Sequence, residues 1–137
     1  MANALYPKWK EATFQASSGS AVNGSGTTGV YAALVTSAYT YSATDQFYSD
    51  LSGVIGTPQE ITSKSYTNGL FAGANVTYTA VAGGSTGTAV VIYVKNAGAS
   101  TTWRLFAYIN TGVTNLPVVT NGGDITIEWN ASGIFQL

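Results

Sequence analysis

The sequence predicts a mainly β fold: an antiparallel β-sandwich or jelly-roll-like single domain with one or two short helices. Three observations lead there. About seven short runs rich in β-branched and aromatic residues are separated by turn residues, the spacing expected of sandwiches. One of those runs, Val90, Val91, Ile92, Tyr93 and Val94, is apolar without a break, and another, around Trp103, Leu105, Phe106, Tyr108 and Ile109, has little besides Arg104 that asks for water. A half-exposed strand would alternate, so both faces of this pair ask to be covered, and the hairpin should sit centrally. Helical signals are confined to two short stretches. A chain of 137 residues makes one domain that buries about two thirds of the surface its unfolded form exposes, and no second domain is required.

Residues 6–16 are predicted to form the first helix, with Pro7 where a first helical residue tolerates a missing N–H. Leu5, Trp9 and Thr13 fall on one side with Phe14 beside them, an aromatic face that can lie on the sheet. Trp9 reads first as a core plug and second as an intersubunit anchor. Residues 17–28 are rich in Ser and Gly, offer almost nothing to bury and predict a mobile loop. The sandwich proper spans 29–137. Its first strand holds Val30, Tyr31, Ala32, Ala33, Leu34 and Val35. A helical turn is then predicted over 45–51, with Thr44 as its cap, Asp45 at its positive end, and Phe47 and Leu51 on its inner face.

Residues 54–58 read as a connector, and Asn68 with Gly69 as a tight turn. Residues 76–81 form a strand, and Gly83 and Gly84 turn the chain into the central hairpin. Strict alternation in the second hairpin strand sets Trp103, Leu105, Ala107 and Ile109 on one face and Arg104, Phe106 and Tyr108 on the other. After a long connection with Pro117, the last clear strand points Ile125, Ile127 and Trp129 inward, and Asp124, Thr126 and Glu128 outward. The tail, with Ile134, Phe135 and Leu137, is apolar enough to need tying down.

Chemistry is scarce. The chain has no histidine and no cysteine, which excludes Ser-His and Cys-His nucleophiles, thiolate metal sites and disulfides. Two carboxylate pairs remain, Asp45 with Asp50 and Asp124 with Glu128, and they read more simply as helix-terminal charges and a solvated face than as an acid and a base. Their spacing matches no calcium loop, and the glycines at 19, 24, 26 and 29 form no phosphate cradle. The expectation is a protein that is not an enzyme and takes no cofactor or metal. Lys8, Lys10, Lys64, Lys95 and Arg104 are scattered, so nucleic acid is not an expected partner. No apolar run approaches the roughly 18 residues of a membrane span, so neither is a membrane. The first residues lack the basic and apolar regions of a secretory signal, which predicts cytoplasmic synthesis.

Only 8% of residues are charged, against about 25% in ordinary soluble domains. A surface of Thr, Ser, Asn and Gly repels its own copies weakly and suits dense packing against neighbours.

Several stretches carry a family likeness. They are the opening Met-Ala-Asn-Ala-Leu-Tyr-Pro-Lys, Asp45-Gln-Phe-Tyr-Ser-Asp-Leu-Ser-Gly53, Val76-Thr-Tyr-Thr-Ala-Val81, Leu105-Phe-Ala-Tyr-Ile-Asn-Thr-Gly112, Leu116-Pro-Val and Asn121-Gly-Gly-Asp-Ile-Thr-Ile127. Together they resemble small structural proteins of tailed bacteriophages. The Ser/Gly loop and the neutral Asn110 depart from the more compact and more acidic pattern of those proteins. The resemblance implies a virion protein on the outer capsid surface, made in the host cytoplasm. Its implied role is capsid decoration or cementing, in which it binds the major capsid protein, bridges neighbouring capsomers and meets other copies of itself, with a trimer matching three-fold lattice positions. A tail or fibre component is one alternative. A carbohydrate-binding module is another, because Tyr39, Tyr41 and Tyr48 read as the most exposed aromatics and ring faces stack on sugars. The candidate interface residues are Trp9, Tyr39, Tyr41, Phe47 and Tyr48, aromatic anchors outside the central strands.

Overall fold

The computed structural model describes residues 3–137. In chain order its elements are β1 (Ala4–Leu5), α1 (Pro7–Phe14), β2 (Val30–Val35), β3 (Val54–Glu60), β4 (Leu70–Phe71), β5 (Val76–Tyr78), β6 (Thr86–Gly87), β7 (Ala89–Val94), β8 (Arg104–Ile109), β9 (Val118–Val119), β10 (Ile125–Ile127) and β11 (Phe135–Gln136). Five strands form an antiparallel sheet in the order β1-β8-β7-β2-β3, and β10-β5, β11-β4 and β6-β9 are small antiparallel pairs around it. The fold is mainly β and sandwich-like, as its composition of short strands predicts.

All six residues of β7 are buried, in the middle of the sheet. Registers place Val90 and Ile92 of β7 in one row with Ala32 and Leu34 of β2 and Ala107 and Ile109 of β8. The opposite face carries Val91 and Tyr93 with Tyr31, Ala33, Leu105 and Tyr108. The first face is covered by α1 and the small pairs. Trp9 packs edge-on against Phe106 at 4.3 Å, and Phe71 and Phe135 close on the same ring at 5.3 and 4.7 Å. The second face is covered by the stretch after β2, through Tyr39 and Tyr41 against Tyr108 and Tyr48 against Tyr93.

The strict alternation expected of β8 is broken. Ile92 pairs with Ala107 but Tyr93 pairs with Leu105, so Phe106 is the extra residue of a bulge. Leu105 and Tyr108 therefore share a face, and Phe106 turns to the other. Residues 54–58 are likewise no connector but part of β3. Its register jumps from Ala32 opposite Gln59 to Leu34 opposite Ile55, because Gly56 is left-handed at φ +66° and Pro58 has no N–H to give a ladder. Beside this irregularity the fully buried Tyr78 donates its hydroxyl to the Ala32 carbonyl at 2.7 Å.

One further expectation is corrected. The helix over 45–51 reduces to a single 3-10 turn, Tyr48–Asp50. The chain just before it is extended and docks on β8: Leu105 N–H donates to the Gln46 carbonyl and Tyr48 N–H to the Trp103 carbonyl, each at 2.8 Å. The stretch 17–28 is held down through its own backbone. Trp9 Nε1 donates to the Ser20 carbonyl, Arg104 Nε to that of Ser18 and the Tyr66 hydroxyl to that of Val22, while Gly26 N–H donates to the Glu60 carboxylate.

The first helix stops at Phe14, short of the expected residue 16. Ala16 adopts φ +51°, and the Ser17 N–H reaches back to the Ala12 carbonyl at 2.8 Å. This left-handed helix end usually carries glycine, because a Cβ is crowded there. Ala16→Gly is expected to stabilise the protein by about 0.5–1 kcal/mol, read as a higher urea midpoint at unchanged slope. A lower midpoint would show that the strain is relieved elsewhere.

Candidate interaction surface

The five residues singled out in the sequence do not form one exposed surface. Trp9 is 5% exposed, with its ring against Phe106 and its N–H on the Ser20 carbonyl. Thr13, expected beside it, is exposed, and Ala12 is the second buried residue of the helix. Tyr39, Tyr41 and Tyr48 lie over the second face of the sheet, and Phe47 sits at its edge beside Arg104. Tyr39, expected among the most exposed, is also only 5% exposed and has no open ring face to offer a sugar. Tyr41 is half-buried between Tyr6 and Tyr108, at 5.0 and 5.7 Å. Phe47 lies under the Arg104 guanidinium, and Tyr48 packs on Tyr93 and Trp103. A loop rich in tyrosine reads as surface from sequence because nothing local says that a bare sheet face is waiting for it.

Within this layer three groups are linked in series. The Tyr39 hydroxyl lies 2.7 Å from that of Tyr6 and donates to Asp45 Oδ2 at 2.7 Å. A hydroxyl has one proton, so Tyr6 must be the donor to Tyr39. Burial is the main cause that pushes the pKa of both phenols up, and the neighbouring Asp45 charge acts in the same direction. Tyr39→Phe removes the middle link and leaves the buried Tyr6 hydroxyl without its acceptor. Its expected cost is about 1–3 kcal/mol, against about 1 kcal/mol for Tyr6→Phe, which keeps the Tyr39–Asp45 bond. The double variant is expected to lose no more than Tyr39→Phe alone, because it also removes the hydroxyl that change strands. Urea unfolding of the three proteins checks this, and equal losses from the two single changes would count against the series.

Five of the six carboxylates have structural partners, Asp45 among them through Tyr39. Asp50 Oδ2 accepts the N–H groups of Gln46 and Phe47, Asp124 accepts that of Ala80, Glu60 that of Gly26, and Glu11 pairs with Lys8 at 2.9 Å. Among the described residues no three acidic, His or Cys side chains converge where a metal ion would sit. No helix among them is long and apolar enough to cross a membrane.

The exposed apolar residues lie elsewhere, and the sequence reading did not single them out as a surface. Phe14 is 91% exposed, Val119 72%, Leu137 68% and Tyr66 40%, and all but Val119 line one pair of adjoining hollows. A shallow groove of about 100 Å³ runs between Trp9, Tyr66, Phe71, Phe135 and Leu137, with no charged residue in its lining. A second hollow, about 210 Å³, adjoins it between Trp9, Lys10, Thr13, Phe14 and Leu137. Trp9 and Leu137 line both. Helical geometry carries the signal for Phe14: five residues beyond Trp9, it points about 140° round the helix from it. A helix that seats Trp9 on the sheet therefore turns Phe14 away.

Comparison with protein-family models, with curated proteins and with solved structures returns no match for this chain.

Proposed function

We propose that the chain is a bacteriophage virion structural protein, a capsid decoration or cement protein that binds the outer shell and bridges neighbouring capsomers of the major capsid protein. The observation that supports this reading is the surface. Charged residues are only 8% of the chain, and most of its carboxylates are occupied by backbone N–H groups or a hydroxyl of the fold itself. Exposed Thr, Ser, Asn and Gly can approach another protein closely without stripping water from ions, the costly step in burying charge.

A cement protein acts by burying surface across capsomer junctions. Each specific contact needs on the order of 1,000 Å² or more, and repetition around a lattice lets individually modest contacts hold firmly together. A sheet covered on both faces supplies the rigid body, and its loops supply the contacts. No nucleic acid, membrane or cofactor enters this mechanism.

Cryo-electron microscopy of the particle that carries the chain is the test. Regular density for it over the outer capsid, and shells that rupture at lower temperature when it is omitted, are the expected results. Density confined to the tail would make it a tail or fibre component instead, and absence from the particle would remove the virion reading altogether.

A further inference from the structure

We infer that the face around Phe14 is a self-association surface, on which two copies of this chain meet across a two-fold axis and each seats its Phe14 in the groove of the other. The inference concerns the protein in solution and does not rest on the virion reading. Phe14 closes α1, is 91% exposed, and lines the hollow beside the groove but not the groove itself. The groove is lined by Gly69 and uncharged, largely apolar side chains and is about 100 Å³. An enclosed apolar cavity of about 150 Å³ takes a benzene ring, so this groove, open at its mouth, suits a ring entering edge-first.

The symmetry follows from placement. The projecting ring and the groove share the walls made by Trp9 and Leu137, so both lie on one face of the molecule. A two-fold axis through that ridge carries each Phe14 onto the partner's groove in a single operation, and the contact is its own complement. A three-fold ring needs the two halves of the contact on faces inclined to each other, whereas the ring and the groove lie on one face.

The area is that of a weak contact. Phe14, Tyr66 and Leu137 bring about 400 Å² of exposed surface per copy, taking an aromatic side chain as about 150–250 Å². That is half of the roughly 800 Å² per partner of a standard interface. Flanking Lys10, Thr13, Val22 and Gly69 extend the same face. Lys10 is the one charged side chain among these lining groups. The pairing is therefore weak enough to depend on concentration.

Sedimentation velocity of the intact chain between about 1 μM and 1 mM tests the inference over the range that weak interfaces occupy. The expected result is a mass rising from 14.2 kDa to twice that value and no further. Phe14→Ser is expected to weaken the pairing at least about 30-fold, the scale of a central anchor residue, with the melting temperature of the dilute protein unchanged. Leu137→Ser, on the shared wall, provides an independent second variant with the same direction. In a mixed-label sample, nuclear Overhauser contacts between the Phe14 ring of one copy and Phe71 or Phe135 of the other should appear. A monomer throughout, a trimer or larger species, or a dimer indifferent to both variants would overturn the inference. A monomer whose binding to isolated phage shells is lost in Phe14→Ser would also overturn it, and would give this face to the shell.

Discussion

Raising the pH above about 10 is expected to unfold this protein in one cooperative step, complete between roughly pH 11 and 12. All nine tyrosines have their pKa pushed upward, with burial the leading cause in each. The sign follows from the neutral form being the one the fold favours. Below the ordinary tyrosine value both states keep their protons, and the stability is fully present. Above it the unfolded chain releases protons that the folded chain retains, and stability falls. Each tyrosine held neutral removes about 1.4 kcal/mol per pH unit. Tyr6 and Tyr78, both fully buried, thus remove about 3 kcal/mol per unit between them, and Tyr39 and Tyr93 act in the same direction. Against a total stability of about 5–15 kcal/mol, one to two units suffice. With no histidine or cysteine in the chain, no side chain of ordinary pKa titrates between about pH 6 and 9, and stability there should be nearly flat. Phenolate absorbance and far-ultraviolet circular dichroism, recorded on the same samples, decide the matter. The two curves should rise and fall together. Tyrosines titrating near pH 10 with the dichroism still native would show that the rings are reachable in the fold.

The strands of this fold were legible where residue type alone decides. β7 declares itself by an unbroken run of β-branched and aromatic residues from Val90 to Val94, β8 by apolar residues broken only by Arg104, and the tail by having too much apolar surface to be left free: Phe135 and Gln136 pair with β4, with Ile134 N–H on the Phe71 carbonyl. The turn at Asn68 and Gly69 was equally plain, and both residues are left-handed there. What escaped depends on partners distant in sequence. No local pattern announces that β8 slips by one residue at Phe106, since alternation reads the same on either side of a bulge. Gly56 and Pro58 look like breakers of a connector until β2 is seen to pair around them. The stretch 17–28 has little side chain to bury, and what pins it is its own carbonyls, which every sequence possesses. The candidate surface failed for a related reason. Aromatic residues in loops were read as outward-facing anchors, yet Tyr39 and Tyr48 roof the sheet, while Phe14, grouped with the buried side of its helix, stands in solvent.

Phe106→Ala is expected to be among the most damaging single changes, at about 3–5 kcal/mol, the range for truncating a buried aromatic. The loss corresponds to a fall in melting temperature of about 10–20 °C for a chain of this size. Phe106 has no exposed surface, and three rings from separate elements converge on it: Trp9 of α1, Phe71 of β4 and Phe135 of β11. Removing it therefore uncouples the helix and the β4–β11 pair from the main sheet as well as opening a cavity. The bulge sharpens the effect. The extra residue has no paired partner on β7, so no side chain directly across the ladder can lean in to fill the space, and the full cavity cost remains. Phe106→Leu keeps much of the volume and should lose markedly less. Phe14→Ala, at the end of the eight-residue α1 but outside the packing, should leave the melting temperature of the dilute protein unmoved, since burial and not residue type sets the cost. Thermal melts of the three variants at low concentration test all of this at once. A loss below about 1.5 kcal/mol for Phe106→Ala would place the result among changes that a core absorbs by rearrangement, and would mean that Trp9, Phe71 and Phe135 close over the gap without the ring that now joins them.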